Sequence, residues 1–483
     1  PFAVESMFLT QSILNKRRNK KMQKNSTTPI RVNKVKVAFS KKMMTAYGGL
    51  SLMASFFKQI RLREAIESAV PVQERSPNST GVYSKIIMYF SMVYAGAERF
   101  AHAGCLGNKA LLAALFGVKR MPEAATSLTR FFNKIKSFHY ADTLSYSLWL
   151  YLAQLIQWEQ IVDDWLTFDS TVLIRYGKQE GAKKGYNPKK HGRPSHHPLI
   201  AFLNRSNYVI HLWNRSGNVT SWNNVIAFFT ASFERVRNRI NVLGVVADSG
   251  FYVKQFIEIL EENRLIYIVA VRLFRPLQRE IYGLATWKSV DRGIWITEFS
   301  FMHQGWGRER RYIVVRQDVT RRTKAMGKTL PLFAHEMIIR DYRYSVWVTN
   351  SMEAPYEVWT KCKPRANDEN TIKELKESFA LGGFSMERFY AVEAAMVLRV
   401  FAYNLFLLFK QIFLGQKEKR QQLKTLRYKY FVLPAQMGNR GRDAILRISV
   451  MNRKIRSKLF YLFTRINQHI PRVDLNCIAV ERQ

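Results

Sequence analysis

Cysteine is scarce in this chain of 483 residues, which contains only Cys105, Cys362 and Cys477. There is no Cys-x-x-Cys pair and no cysteine beside a pair of histidines, so the sequence excludes a disulfide scaffold and a zinc finger. A Gly-x-x-x-x-Gly-Lys-Ser/Thr phosphate loop is also absent, so no ATP requirement is expected. This cysteine usage is typical of a reducing cytoplasm.

Acidic residues are few compared with basic ones. The chain has 36 Asp and Glu against 76 Lys and Arg, a formal net charge of +40. Residues 1–45 hold 11 basic residues against one acid, and residues 416–483 hold 16 against 4. Such a surplus indicates a polyanionic partner, because neutralised phosphates release condensed counterions.

No long apolar run is free of charged residues. The most apolar stretch, residues 391–414, is interrupted by Glu393, Arg399, Asn404 and Lys410. A buried helix is therefore predicted there, and no membrane partner is expected. Hydrophobic residues make up 47% of the chain, which is enough for a packed core.

Composition and periodicity divide the chain into five predicted parts. These are a flexible basic arm (1–37), an all-α region (38–160), an α/β core (161–272 and 351–415), a β-rich insertion (273–350) and a basic C-terminal region (416–483). For the all-α region, DNA binding and a plain helical bundle both stay open. The insertion is predicted from short apolar runs that alternate with basic residues and tryptophans.

The core region is predicted to contain three strands, a helix, a strand, a helix and a strand, in that order. This order resembles an RNase H-like mixed sheet. The first strand ends near Asp169 in TFDST, and the fourth ends at Asp248 in VVADSG. An Asp at the end of a buried strand often caps a turn. Two of them on neighbouring strands are also suited to sharing divalent metal ions.

The charged segment RANDENTIKELK (365–376) is predicted to be a helix. At ~100° per residue, Arg365, Glu369 and Lys376 lie at about 0°, 40° and 20° and form one narrow stripe. By geometry alone this stripe is either an ordinary ladder of ion pairs or a carboxylate flanked by phosphate-binding cations.

These motifs together resemble the DDE-type transposases of bacterial insertion sequences, in the subgroup with a β insertion and a Tyr-Arg-Glu-Lys signature. In that signature two residues separate Tyr from Arg, three separate Arg from Glu, and six separate Glu from Lys. Arg365, Glu369 and Lys376 match it, whereas Cys362 stands at the Tyr position. The block STVLIRYGKQEGAKKGYNPKKHGRPSHHPLIAF (170–202) is similar to one that follows the first Asp in one insertion-sequence family.

The resemblance implies a DNA transposase of the cut-and-paste type. Asp169, Asp248 and Glu369 would hold two Mg²⁺ ions, with Mn²⁺ as a substitute, and Arg365 and Lys376 would position phosphates. The implied partners are double-stranded DNA, as terminal inverted repeats and target, and a second copy in a homodimeric synaptic complex. In this subgroup a hairpin on the transposon end is often an intermediate, and a Trp of the insertion can stack on a flipped base.

A flexible basic loop follows Asp169. Its cations alternate with Gly, Tyr and Pro, a composition suited to phosphate contact, although a solvated loop is the simpler interpretation. The predicted DNA-contacting residues are Lys183, Lys184, Lys189, Lys190 and Arg193. The three histidines of the same block, His191, His196 and His197, are interpreted as structural or DNA-facing, because hard cations prefer oxygen ligands.

Two other functions fit the same residues. One is an RNase H-like nuclease that cleaves without strand transfer, and the other is a DNA-binding relative that has lost activity. The presence of all three acids argues against the second. The expected location is the bacterial cytoplasm, in association with the nucleoid.

Overall fold

The computed structural model describes residues 30–37, 42–74, 76–157, 161–185, 187, 190–219, 223–321, 336–339, 342–362, 366–469 and 471–478. It contains helices at both ends of the chain and one large mixed sheet, so the predicted α/β class is confirmed.

The helices are α1 (Leu50–Gln59), α2 (Leu62–Ala69), α3 (Val82–Ala95), α4 (Lys109–Leu115), α5 (Ala125–Phe132), α6 (Phe138–Gln157), α7 (Val225–Val236), α8 (Lys254–Glu262), α9 (Arg275–Gly283), α10 (Pro355–Cys362), α11 (Ala366–Glu377), α12 (Phe389–Phe413), α13 (Gln416–Lys419), α14 (Leu423–Leu426) and α15 (Arg453–Gln468). The strands are β1 (Ile30–Val32), β2 (Val35–Val37), β3 (Met44–Thr45), β4 (Asp163–Ser170), β5 (Leu173–Ile174), β6 (Ser195–His196), β7 (Leu199–Leu203), β8 (Val209–Trp213), β9 (Asn241–Ala247), β10 (Tyr267–Ala270), β11 (Lys288–Asp291), β12 (Ile294–Phe301), β13 (Arg310–Asp318), β14 (Glu336–Ile339), β15 (Tyr342–Thr349), β16 (Ala435–Arg440) and β17 (Asp443–Ile448).

The large sheet has the strand order β11-β12-β13-β15-β10-β9-β4-β7-β8, and β14 pairs with β15. Strand β9 runs parallel to both of its neighbours, β4 and β10. The pairs β4–β7 and β7–β8 are antiparallel. Consecutive positions of β4 and β7 are buried, as expected for strands covered on both faces.

Strands β11 to β15 come from the region predicted as an insertion, and they continue the same sheet. Strand β15 pairs antiparallel with β10, with Ala270 opposite Trp347. In this part the Arg316 guanidinium carbon lies 4.1 Å from the ring centre of Trp287 and 5.3 Å from that of Trp295. Trp287 and Trp295 therefore pack around one arginine.

Helix α12 lies in the interior and joins the helical region to the sheet. The Tyr89 and Tyr94 hydroxyls of α3 donate to the carbonyls of Ala395 and Ala402, each at 2.9 Å. On the sheet side, the Asn404 side chain accepts from the Val209 N–H at 3.0 Å and donates to the Val209 carbonyl at 2.7 Å. Asn404 thus pairs with backbone groups of the edge strand β8, which would otherwise lack partners.

By length and composition α12 could cross a membrane, yet its most apolar window is wholly buried inside the protein. Its charged residues have polar partners there. Arg399 donates from Nε to the Tyr89 hydroxyl at 2.7 Å and from Nη1 to the Phe379 carbonyl at 3.0 Å. Lys410 donates to the Gln421 carbonyl at 3.2 Å. The predicted buried helix agrees with this placement.

Glu393 gives α12 a pH-dependent effect on stability. Burial raises its pKa to about 8, so the folded protein holds this carboxyl protonated at neutral pH. The unfolded chain ionises it near its ordinary pKa, so its contribution to stability is lost as the pH rises from about 4.5 to 8. The free energy of unfolding of Glu393→Gln minus that of the wild type should therefore be larger at pH 8 than at pH 5, by on the order of 3 kcal/mol. Urea unfolding at both pH values measures this, with the exposed Glu377→Gln as control. An equal difference at both pH values would contradict it.

Two predictions about the N-terminal part of the chain need correction. The region predicted as all-α contains β3, which pairs with β16 of the C-terminal region, a distant contact that a strand of two residues does not reveal in sequence. Residues 30–37 of the predicted flexible arm form the β1–β2 hairpin, and residues 1–29 lie outside the described residues.

Candidate active site

Asp169 and Asp248 lie side by side at one edge of the large sheet. Strands β4 and β9 are parallel, and Phe168 is paired in register with Ala247. The next residue on each strand is the aspartate, so both carboxylates stand at adjacent strand ends. Both residues are half-buried. The sequence left open whether these two strands are neighbours, and their parallel pairing brings the two aspartates together.

Short hydrogen bonds fix the orientation of both carboxylates. Oδ1 of Asp169 accepts from the Ser170 N–H, and Oδ1 of Asp248 accepts from the Ser249 N–H, each at 2.6 Å. Asp248 also caps the short 3₁₀ helix Ser249–Phe251. The capping interpretation and the paired-carboxylate interpretation are therefore compatible, since the caps point the two carboxylates in defined directions.

Asp164, at the other end of β4, shows what a purely structural aspartate looks like here. It is 1% exposed, and its carboxylate accepts from the backbone N–H groups of Trp165, Arg205 and Ser206 at 2.7, 2.8 and 3.1 Å. These bonds close the turn between β7 and β8. Asp164 is thus a turn-fixing residue distant from the strand ends that carry the carboxylate pair.

Lys376 connects α11 to the segment that follows Asp169. Its Nζ donates to the Val172 carbonyl at 3.2 Å. Glu369 precedes Lys376 by seven residues, so it lies on the same face of the helix, about two turns away. Lys376 therefore brings the C-terminal half of α11 next to the segment that follows β4. Arg365, the first residue of the stripe predicted from the sequence, lies outside the described residues.

The other acids of α11 have different surroundings. Asp368 and Glu374 are 1% and 7% exposed, whereas Glu369 is exposed. Glu374 accepts from the Leu423 N–H at 2.7 Å, and burial raises its pKa although Lys410 opposes the shift. Asp368 and Glu374 therefore belong to the packing of α11, and Glu369 is the carboxylate that shares the Lys376 stripe.

Asp169 and Asp248 fit a hard divalent cation in donor type and in placement, since oxygen ligands on adjacent strand ends suit Mg²⁺. Within the described part of the chain, no group of three or more His, Cys, Asp and Glu side chains is close enough to hold a metal ion. Glu369 therefore does not form a metal-binding cluster with Asp169 and Asp248 in this structure. Cys362, at the signature's Tyr position, packs beside the apolar cluster of Trp165 and Val246.

The basic loop projects from a short ladder next to Asp169. Strands β5 and β6 pair antiparallel at its base, and the Lys183 backbone bonds to that of Ser195. Lys190 donates to the Tyr176 hydroxyl at 2.9 Å. Among the predicted DNA-contacting residues of the loop, the exposed ones are Lys183, Lys184, Lys190 and Arg193, and Lys189 lies outside the described residues.

His197 is a neighbour of the site whose position the sequence did not indicate. Its Nε2 lies 3.1 Å from the Ser170 hydroxyl, next to Asp169, and its Nδ1 lies 3.1 Å from the Val219 carbonyl. Burial, together with the charges of Arg215 and Lys376, lowers its pKa to about 4. A neutral His197 therefore donates to Val219 and accepts from Ser170, which supports the turn after β4.

Comparison with known proteins places this chain within one family. A family model described as "Transposase DDE domain group 1" matches residues 27–470. Comparison with curated proteins gives no match. Among solved structures, the chain is similar to a cryo-EM structure of the piggyBac transposase synaptic complex with hairpin DNA, at 14% identity, covering 81% of this chain and 82% of that chain, with a TM-score of 0.43. The matched range includes Asp169, Asp248 and Glu369.

Proposed function

Because the chain belongs to the family of transposases with a DDE domain of group 1, we propose that it cleaves the ends of an insertion sequence and joins them to target DNA by a cut-and-paste route. The observation that carries this proposal is the register of β4 and β9, which sets Asp169 beside Asp248. Paired carboxylates at adjacent strand ends are suited to phosphodiester chemistry that depends on divalent ions.

Asp169, Asp248 and Glu369 are the proposed ligands of two Mg²⁺ ions, which Mn²⁺ could replace. When bound, such ions activate the attacking oxygen and stabilise the leaving oxygen. The protein's own part is to orient the two aspartates through their caps and to hold α11 next to the segment that follows β4 through Lys376. Since Glu369 is exposed and separate from the pair, we propose that it approaches when DNA is bound.

We further propose an RNase H-like core made of β8-β7-β4-β9-β10. Its mixture of antiparallel and parallel pairs supports this assignment. The proposed partners are double-stranded DNA, as terminal inverted repeats and target, and a second copy of the chain, in the bacterial cytoplasm at the nucleoid. The charge of +40 supports a DNA partner. The loop cations Lys183, Lys184, Lys189, Lys190 and Arg193, with Arg365, are proposed to contact phosphates.

Strand joining tests the proposal directly. Labelled duplexes that end in the precut inverted repeat are incubated with the protein, plasmid DNA and Mg²⁺. We expect joined products that disappear with EDTA and return with Mn²⁺. Cleavage of uncut ends without any joining would instead support a nuclease. End binding without cleavage or joining, in either metal, would support an inactive DNA-binding relative.

A further inference from the structure

An open pocket of about 500 Å³ lies in the helical region at the start of α3. It is formed by the loop before α3, the face of α2 and the turn after α4. Three cations, Arg63, Lys119 and Arg120, line it together with a single carboxylate, Glu67. The excess positive charge makes it suited to an anion. None of these residues belongs to the candidate active site.

Backbone and aromatic contacts hold two of the cations in place. Arg63 donates to the Gly117 carbonyl, and its guanidinium carbon lies 4.8 Å from the ring centre of Tyr83. Arg120 donates to the Asn78 carbonyl. These contacts fix where the guanidinium groups point without neutralising their charge, since the partners are carbonyls and a ring.

The first turn of α3 adds uncompensated hydrogen-bond donors to the same pocket. Gly81 precedes the helix with φ of 81°, no side chain caps the helix, and no acid stands in its first turn. The side of Gly81 where a Cβ would stand is open, with no other atom within 4 Å. The first N–H groups of a helix have no partners inside the helix and attract anions.

One hydroxyl in the pocket wall lacks a partner among the described residues. Ser84 is 5% exposed and lines the pocket, and its hydroxyl makes no hydrogen bond to another described residue. A pocket-lining hydroxyl without a protein partner is available to donate to a ligand or to water.

We infer that this pocket binds a phosphate group. The phosphate oxygens would accept from the N–H groups at the start of α3 and from the Ser84 hydroxyl, while Lys119 and Arg120 balance the charge. A DNA backbone, a nucleotide or free phosphate could supply the group. That a DNA backbone supplies the phosphate rests on the proposed function. The inference that the pocket binds phosphate does not.

Three single substitutions in the full chain test the inference, one removing a positive charge, one a hydroxyl and one a negative charge. Lys119→Gln should weaken the binding of inorganic phosphate about 5-fold to 10-fold, and Ser84→Ala about 3-fold to 10-fold. Glu67→Gln should strengthen it about 2-fold to 5-fold. Titration calorimetry in chloride buffer measures these affinities, and thermal unfolding confirms that each variant is folded. The matched control is Lys58→Gln, an exposed lysine of α1 outside the pocket.

The salt dependence of duplex binding distinguishes the sources of the phosphate. If the pocket holds a backbone phosphate, Lys119→Gln should lower the slope of log affinity against log salt by about 1. An unchanged slope with weakened phosphate binding supports a nucleotide or free phosphate. Unchanged phosphate affinity in Lys119→Gln and Ser84→Ala, or an equal loss in Lys58→Gln, would overturn the inference. Strand joining, assayed separately, reports on the proposed function alone.

Discussion

Glu369→Gln is expected to reduce DNA cleavage and strand joining by about 10³-fold or more, while end binding stays within about 3-fold of the wild type. The substitution keeps the size of the side chain and removes the charge that a divalent ion requires, and such ions contribute several kcal/mol to phosphodiester chemistry. Because Glu369 is exposed on the Lys376 face of α11, its loss should leave folding intact.

The matched control for this prediction is Glu377→Gln, which removes the same charge from an exposed position on the same helix. It should keep cleavage within about 3-fold of the wild type, since about 100° separates it from Lys376 around the helix. Cleavage by gel assay in Mg²⁺, with end binding by mobility shift, measures both. Equal activities of Glu369→Gln and the wild type would remove Glu369 from the proposed site.

Arg399→Met is expected to lower the free energy of unfolding by roughly 3 kcal/mol. Arg399 is fully buried and donates to the Tyr89 hydroxyl, the Phe379 carbonyl and, at 3.4 Å, the Glu98 carbonyl. A methionine of similar length would leave these acceptors without a donor. The gain from no longer burying a charge opposes this loss, but three lost bonds should outweigh it.

Urea unfolding measures the effect, with Arg130→Met as the control, because Arg130 is exposed on α5. Arg399→Lys should lose less than Arg399→Met, since an ammonium still donates to one or two of the acceptors. A stability of Arg399→Met within about 0.5 kcal/mol of the wild type would indicate that the desolvation of the guanidinium cancels its hydrogen bonds.

Much of the α/β core could be predicted from local pattern. The β7–β8 hairpin, the strand ends at Asp169 and Asp248 and the helix from 366 onward follow from periodicity and turn residues. The two aspartates are adjacent because β4 and β9 are parallel neighbours in the sheet. These features depend on short stretches of sequence, where hydrophobic alternation and capping preferences act directly.

Contacts between distant segments could not be predicted in this way. The burial of Asp368 and Glu374 depends on which face of α11 packs inward, and that is set by neighbours such as Lys410 and Leu423. The continuation of the core sheet into β15, and the β3–β16 pair, join segments far apart in sequence. Such pairings depend on the register of whole elements, which no local pattern specifies.

The position of α12 in the chain has a consequence for synthesis. Strand β8 ends at Trp213, but the helix that pairs with it through Asn404 is complete only at Phe413. At ~5–20 residues per second, a ribosome needs ~10–40 s to make the intervening chain. During that time the backbone of β8 lacks its partner. A chain truncated before α12 should therefore expose the edge of β8 and aggregate more than the full chain does.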